Sequence, residues 1–434
     1  MNSQPAWRHP RVMLVATMVA AGIASGMLGV AVSQISRGIE AAAFGFEFSH
    51  SASGVAAAPW WRRLAAALVA GGICGILWTR LRPRPRGFLP TVRQVAARGV
   101  QGRRWLPVGG TIADGLGQLL IVGSGMSLGR EAAPRRFAAL LGQGLADRCG
   151  LDVETRRVMI ASAGGAGLAA VYNVPLAGLV YALEFVIRPD LRTRAGWSKV
   201  VVSTVVALLS TVTAWLFNRN TPMYRLPPDE LDVRGYGWAV AMGIVALAAA
   251  VPLRRALRWA RSHTALTAHL WWSMPLGTLT VAGLALWEPR IAGNGQVLVQ
   301  ATLVGGLPAA TLAMLCLAKV FATLLSFRCG ATGGLLTPSL AVGATLGAAL
   351  AKFTGATGSQ VCTAALVGAA CVLSVTEAHP VFAATFVMGL VQAPPQLCLA
   401  IGLGVAITWC ARLLSPAGRS RTGSSRDSPD SSSG

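Results

Sequence analysis

The chain has 434 residues, of which 53% are hydrophobic and only 12% charged, and its mean hydropathy is +0.56. This is more apolar surface than a soluble domain of this length can bury, so the composition excludes a soluble protein and predicts one that lies in a lipid bilayer. The net charge of +22 would indicate nucleic-acid binding in a soluble protein, but the arginines lie between apolar segments, as the positive-inside rule predicts. We therefore expect no nucleic-acid partner.

Apolar segments recur along almost the whole chain. Several are shorter than the roughly 20 residues that cross a hydrocarbon core, and several are interrupted by Gly and Pro, which predicts tilted or half-crossing helices. We expect a cytoplasmic segment at 1–11, a transmembrane domain at 12–414 and a disordered polar tail at 415–434. The apolar segments are 12–34, 63–79, 109–128, 132–147, 157–187, 199–217, 235–253, 269–287, 309–327, 333–352, 361–374 and 380–414.

The arginines also predict the orientation of the chain. They are concentrated in the connection at 80–105, whereas the connection at 35–59 sets Arg37 against Glu40 and Glu47. Because cytoplasmic loops carry an excess of Lys and Arg, we expect residues 80–105 inside the cell and 35–59 outside. The eight cysteines show no CxxC pattern and no Cys/His cluster, so we predict no disulfide framework, no metal site and no cofactor.

Two pairs of short motifs indicate an internal repeat. Gly129 to Pro134 has a counterpart in Gly333 to Pro338, and Asn173-Val-Pro175 has one in Ala378-His-Pro380. The prolines are 204 residues apart in the first pair and 205 in the second. Paired segments broken by Gly and Pro are typical of transporters whose binding site lies between two repeats.

The first motif has the composition of a helix N-terminus. Glycines free the backbone to turn, and proline is favoured in the first turn of a helix. Backbone N–H groups at such an end can bind chloride without a formal positive charge, because the positive end of the helix dipole lies behind them. The second motif would bring another helix end to the same place.

Glu131 is the acidic residue of the first motif, and a carboxylate in an apolar repeat is by default functional. When ionised, it can occupy an anion site at the helix ends and block it; when protonated or displaced, it vacates the site. We therefore predict that Glu131 is a gate. The alternative is a carboxylate that caps a helix N-terminus or pairs with Arg130.

These motifs resemble those of the CLC family of chloride channels and transporters. Gly129 to Pro134 (Gly-Arg-Glu-Ala-Ala-Pro) resembles the family's Gly-(Lys/Arg)-Glu-Gly-Pro motif, and Gly333 to Pro338 (Gly-Gly-Leu-Leu-Thr-Pro) resembles Gly-x-Phe-x-Pro. Gly167 to Gly178 (Gly-Leu-Ala-Ala-Val-Tyr-Asn-Val-Pro-Leu-Ala-Gly) is similar to the signature Gly-Leu-Ala-Ala-Ala-Phe-Asn-Ala-Pro-Leu-Ala-Gly, and residues 291–296 resemble a later family loop. The resemblance extends in segment order from about residue 12 to 414.

The resemblance implies an all-α multi-pass membrane protein with two inverted-topology repeats of tilted and broken helices, at about 12–217 and 235–414. It also implies a homodimer with one pore in each subunit, a place in the cell (inner) membrane, and movement of chloride as a voltage-gated channel or a chloride/proton antiporter. Glu131 would be the gating glutamate. The anion-binding backbone amides would be those of Arg130, Glu131, Ala132, Leu335, Leu336 and Thr337, and the motif glycines and prolines are Gly129, Pro134, Gly333, Gly334 and Pro338.

Three residues that accompany the gating glutamate in the family are missing from their places. Gly87-Phe-Leu-Pro90 lacks the serine of the family's Gly-Ser-Gly-Ile-Pro motif, and no tyrosine follows Tyr236 to close the inner side of the site. The internal glutamate of proton-coupled members would fall on Phe185 or Val186, depending on the alignment. Coupling to protons can therefore not be assumed.

Two further carboxylates have open roles. Glu184 could accept protons from the cell interior, lie at a dimer interface, or pair with Arg188 one helical turn away. Asp114 could line a water path or cap a helix at the membrane boundary.

Two alternative functions also follow from the sequence. Fluoride, nitrate or a small carboxylate would suit helix-end amides as chloride does. Gly125-Met-Ser127-Leu-Gly129 fits Gly-x-Ser-x-Gly, so Ser127 and His379 could belong to an intramembrane serine protease, although nothing else in the chain resembles one. We predict that the protein is not an enzyme and has no catalytic residue.

Overall fold

The computed structural model describes residues 10–45, 52–82, 89–98, 106–227 and 234–414. Within these ranges the protein is helical, and its only extended pairing is a single bridge between Gly129 and Gly334. The predicted tail at 415–434 and most of the predicted segment at 1–11 lie outside the described residues.

Helices α1 to α9 make up the first half of the chain and α10 to α17 the second. The first nine are α1 (Pro10–Phe44), α2 (Ala52–Ala57), α3 (Trp60–Leu81), α4 (Val92–Arg98), α5 (Val108–Gly123), α6 (Ala132–Arg148), α7 (Val153–Tyr172), α8 (Pro175–Val180) and α9 (Arg194–Asn218). The others are α10 (Arg234–Ser262), α11 (Leu270–Trp287), α12 (Gln296–Leu303), α13 (Ala309–Arg328), α14 (Leu336–Phe353), α15 (Gly358–Glu377), α16 (Pro380–Val391) and α17 (Pro395–Leu414). A π-helical segment, Tyr181–Ile187, continues α8, and short 3₁₀ turns lie at Thr267–His269 and Pro289–Ile291.

Eight of the described helices are long and apolar enough to cross a membrane, with mean hydropathy between 1.3 and 2.1. They are α1, α3, α9, α10, α13, α14, α15 and α17. The other apolar helices, such as α5 and α16, are too short to cross alone. This mixture of full and partial spans confirms the predicted multi-pass, all-α fold.

Two of these spans lie inside the protein. In α14 and α15, 78% and 83% of the apolar window is buried, against 28–44% in the other spans. Gly343 of α14 and Gly368 of α15 let these helices touch, since a Cβ atom on Gly343 would lie 2.4 Å from the Gly368 carbonyl oxygen. The outer spans expose large apolar side chains such as Leu216 and Leu317, which suits contact with lipid.

The two halves break their helices in the same way. Helix α7 is followed by Asn173 with φ of 57°, and α15 by Ala378 with φ of 63°. In each case a proline two residues later, Pro175 or Pro380, begins the next helix. These matching breaks fall on the motifs that indicated the internal repeat.

Some predicted boundaries were wrong. Helix α1 continues to Phe44, so residues 35–44 are helical and do not belong to an external loop. Glu40 is buried in this helix, at 6% exposed, and its pairing with Arg130 offsets the cost of burying the carboxylate. The predicted segments 157–187 and 380–414 are divided by the breaks described above, and α2, α4 and α12 were not predicted.

Candidate anion-binding site at two helix ends

The carboxylate of Glu131 lies at the N-terminus of α14, the helix that begins in the second motif. Glu131 itself directly precedes α6 and is 0% exposed. Its Oε1 accepts a hydrogen bond from the Leu336 N–H at 2.6 Å, and its Oε2 accepts one from the Thr337 hydroxyl at 3.3 Å. The partial positive charge at the start of α14 stabilises a negative group in this position. A residue of the first half therefore occupies the helix end of the second.

Two glycines make room for this carboxylate. Gly129 and Gly334 exchange two backbone hydrogen bonds, of 2.9 and 2.8 Å, which join the two predicted motifs directly. A Cβ atom on Gly129 would lie 2.0 Å from Glu131 Oε2, and one on Gly334 would lie 2.0 Å from Glu131 Oε1. Because these separations are far inside van der Waals contact, a side chain at either position would exclude the carboxylate.

The other predicted site residues surround this contact. Pro134 and Pro338 are each the third residue of their helix, in the first turn, where an N–H group has no intrahelical acceptor. Gly333 packs against Leu128, and Leu335 is buried just before α14 begins.

The amides of the first motif do not bind the Glu131 carboxylate. Its described hydrogen bonds come from Leu336 and Thr337, and not from the amides of residues 130–132. The first half of the chain therefore supplies the carboxylate, and the second half supplies the groups that bind it. That the amides of Arg130, Glu131 and Ala132 bind an anion stays a prediction.

Arg130 does not pair with Glu131, so that part of the alternative interpretation is wrong. Its guanidinium is 3.0 Å from Glu40 Oε1 and donates to Gln296 Oε1 at 3.4 Å. Glu40 comes from α1, which the sequence analysis had placed in a loop, and Gln296 begins α12. Arg130 thus connects three separate elements beside the candidate site.

A charged cluster that the sequence analysis missed lies near the same carboxylate. Arg135 Nε donates to the main-chain oxygen of Glu131 at 2.8 Å, and its guanidinium lies 5.1 Å from the ring centre of Tyr181. Glu377, at the end of α15, interacts electrostatically with Arg135, Arg261 and Glu131. The available signal was a glutamate directly before the Ala378-His-Pro380 motif.

Lys319 was also missed, although a lysine inside an apolar segment is by default significant. It is 0% exposed, and its Nζ donates to the carbonyl oxygens of Ile291 and Gly293 at 2.8 and 2.7 Å. The Gly293 N–H in turn donates to the Gly125 carbonyl at 2.9 Å. Lys319 therefore fixes the loop before α12 against the segment that leads to Glu131.

Glu184 binds a different helix end. Its Oε2 accepts a hydrogen bond from the Phe382 N–H at 2.8 Å, at the start of α16, and its Oε1 lies 3.9 Å from His379 Nδ1. Arg188, the partner in one of the three alternatives, donates to the main-chain oxygen of Glu184 at 3.4 Å and interacts electrostatically with its carboxylate. Phe185, one of the two positions where an internal glutamate would fall, packs against the His379 ring with centroids 3.6 Å apart and an interplanar angle of 31°.

The remaining candidates have structural partners. Asp114 pairs with Arg136 in the protein interior and accepts hydrogen bonds from Trp78 Nε1 at 2.9 Å and Gln118 Nε2 at 2.7 Å, so it caps no helix. Ser127 shares a 3.0 Å hydrogen bond with Thr323, whereas His379 contacts Glu184 and Phe185, so no described contact joins the two members of a protease pair.

Two further predictions concern the candidate for the family's serine motif and the absence of a metal site. Gly87 and Phe88, part of the candidate for the serine motif, lie outside the described residues. Within the described ranges, no group of three His, Cys, Asp or Glu side chains could hold a metal ion.

Eight apolar spans and paired helix breaks define a multi-pass membrane protein with the architecture of a transporter, in which a buried carboxylate lies on a helix N-terminus. Comparison with known proteins agrees: the family model described as "Voltage gated chloride channel" matches residues 70–412. The chain therefore belongs to the CLC family of chloride channels and transporters, and it moves chloride or a similar small anion across the membrane.

Relatives of known name and structure extend this result. The chain is 32% identical to "Voltage-gated ClC-type chloride channel ClcB" of Citrobacter koseri over 66% of its length and 68% of the relative's, and 33% identical to ClcB of Salmonella typhimurium over 68% and 70%. Its fold is similar to that of a slow cyanobacterial Cl⁻/H⁺ antiporter, with a TM-score of 0.78, 18% identity and coverage of 96% and 99%. A CLC-type fluoride/proton antiporter has a TM-score of 0.69, 18% identity and coverage of 92% and 94%.

Proposed function

We propose that the Glu131 carboxylate occupies an anion-binding site and gates the movement of chloride through it. The observation that carries this proposal is the 2.6 Å hydrogen bond from the Leu336 N–H to a fully buried carboxylate of the other half of the chain. A chloride ion would need the same donors and the same space between Gly129 and Gly334. Ion and carboxylate therefore compete, and the side chain must be protonated or displaced before the ion can bind.

The proposal extends to the setting of the site. The protein would act as a homodimer in the cell (inner) membrane, with one anion path in each subunit, as the family resemblance implies. Coupling to protons would need a second acceptor on the inner side, for which Glu184 is the candidate from the sequence. Its hydrogen bond to the start of α16 supports a capping role more directly.

Reconstitution into liposomes tests the proposal. Purified protein is placed in vesicles with an outward chloride gradient, and chloride efflux and internal pH are followed together for the wild type, Glu131→Ala and Glu131→Gln. We expect chloride efflux in the wild type and a change of about tenfold or more in its rate in both variants, because the competing charge is removed. Proton movement with chloride would define an exchanger, and chloride movement alone a channel or uncoupled carrier.

Glu154→Gln is a matched control. Glu154 pairs with Lys199 at 2.5 Å near the start of α7, away from the glycine pair, and its replacement should leave chloride efflux within about twofold of the wild type. Absence of chloride, fluoride and nitrate flux in a correctly folded wild type would refute the proposal. Equal rates for Glu131→Gln and Glu154→Gln would refute the gate.

A further inference from the structure

Two buried tyrosine hydroxyls beside the candidate site make no hydrogen bond of normal geometry within the described residues. Tyr172, the last residue of α7, is 0% exposed, and Tyr224, between α9 and α10, is 1% exposed. Neither hydroxyl makes a hydrogen bond of normal geometry, although nearly all buried polar groups in folded proteins do, and the Tyr172 hydroxyl interacts with the Arg130 side chain. Both phenols interact electrostatically with Glu131 and Arg130, which places them together next to the gate.

The surrounding structure holds these hydroxyls in place. The Tyr224 N–H donates to the Leu390 carbonyl of α16 at 3.1 Å, and Asn173, next to Tyr172, donates to the Thr221 carbonyl at 3.0 Å. The Tyr172 ring also packs edge-on against Phe386, with centroids 5.7 Å apart. The two phenols therefore belong to one rigid wall made by α7, α16 and the segment before α10.

Arg130 adds a third unused donor at the same place. Its terminal nitrogens bind Glu40 and Gln296, but its Nε is buried and unpaired. A guanidinium can only donate, and its hydrogen bonds are strongest to a negatively charged acceptor, so two phenols beside it favour an anionic group. These donors therefore suit a small anionic acceptor.

We propose that the hydroxyls of Tyr172 and Tyr224, together with Arg130, form a second acceptor site for an anionic group beside Glu131. The acceptor is either the Glu131 carboxylate after it has left the Leu336 N–H or the transported anion itself. This inference rests on the proposed gate. The CLC signature has phenylalanine at the position of Tyr172, so this hydroxyl is a feature of this chain and not of the motif.

Removal of the hydroxyls alone tests the site. Tyr172→Phe, Tyr224→Phe and the double variant are reconstituted in the otherwise wild-type chain and in Glu131→Ala, and chloride efflux is measured from low to saturating chloride. We expect a roughly fivefold change in rate or apparent chloride affinity for each single variant and a larger change for the double variant. Tyr236→Phe is the matched control, because its exposed hydroxyl reaches only the Gln396 carbonyl, at 3.4 Å.

The two sources of the acceptor give different results. Changes that occur only when Glu131 is present identify the displaced carboxylate, and changes that persist in Glu131→Ala identify the transported anion. Efflux within twofold of the wild type for the double variant, at all chloride concentrations and in both backgrounds, would overturn the second site while leaving the gate intact. If the double variant does not purify as a monodisperse protein, the single variants carry the same test.

Discussion

Two carboxylates of the first half, Glu131 and Glu184, each bind the N-terminus of a helix in the second half. Glu131 accepts from the Leu336 N–H at the start of α14, and Glu184 from the Phe382 N–H at the start of α16. Glu131 is 0% exposed, whereas the Glu184 side chain is 22% exposed. The same capping chemistry is thus placed in two different surroundings.

The neighbours of each carboxylate explain why we propose only Glu131 as a gate. Glu131 is flanked by Gly129 and Gly334, which leave its helix end open to a small ion of similar size once the side chain moves away. Beside Glu184, the rings of Phe185 and His379 pack against each other at an angle of 31°. We therefore propose exchange of carboxylate and ion at the start of α14 and a capping role at the start of α16.

The largest effect is expected from filling the space around Glu131. In Gly334→Ala, the new Cβ atom would lie 2.0 Å from the position of Glu131 Oε1, so carboxylate and chloride are both excluded. We expect chloride efflux to fall by about tenfold or more, as overpacking of a closely packed site predicts. Gly283→Ala, where a Cβ atom meets nothing within 4 Å, is the control for helix and membrane insertion and should transport normally. Wild-type efflux in Gly334→Ala would show that the ion passes elsewhere.

A smaller effect, on stability, is expected at the other helix end. Glu184→Ala removes the cap of α16 and should destabilise the protein by about 1 kcal/mol, with chloride efflux within about twofold of the wild type. Thermal unfolding in detergent measures the first quantity and liposome efflux the second. Loss of proton movement with chloride movement preserved would instead make Glu184 part of a proton path and end the distinction drawn here.

The smallest effect is expected at Thr337, which donates the longer bond to Glu131, at 3.3 Å. Thr337→Val keeps the shape and removes this donor, so we expect the rate of chloride efflux to change by about two- to fivefold. Thr345→Val on the same helix is the control, since the Thr345 hydroxyl bonds to main-chain oxygens of its own helix and to Cys316, and not to Glu131. Equal effects of the two variants would mean that the Thr337 hydroxyl does not act on the gate.

Local sequence rules were enough to predict most helices and the two helix starts. Gly and Pro dictate where a helix can begin or break, so the motifs at 129–134 and 333–338 fall on the ends of α6 and α14. The limit of α1 could not be predicted, because Arg37 and Glu40 are typical of a charged connection until the pairing of Glu40 with Arg130 is known. Such a partner is 90 residues away in the sequence, and only the fold brings it close.

The site was predictable in its residues and unpredictable in its contacts. The cost of a buried charge singled out Glu131, but the sequence does not tell which helix end receives its carboxylate. The roles of Glu184 and Tyr172 also depend on groups from other elements, the Phe382 N–H in one case and Arg130 in the other. Periodicity and motif spacing carry no information on such long-range contacts.

Crystallography of Glu131→Gln grown in bromide tests the central claim, that the Glu131 carboxylate occupies the place of the transported anion. Bromide is a halide that can be located by its anomalous scattering. We predict a bromide ion within hydrogen-bond distance of the Leu336 N–H, between Gly129 and Gly334, with the introduced amide side chain displaced. A fully occupied side chain on the Leu336 N–H and no bromide there at saturating concentration would contradict it.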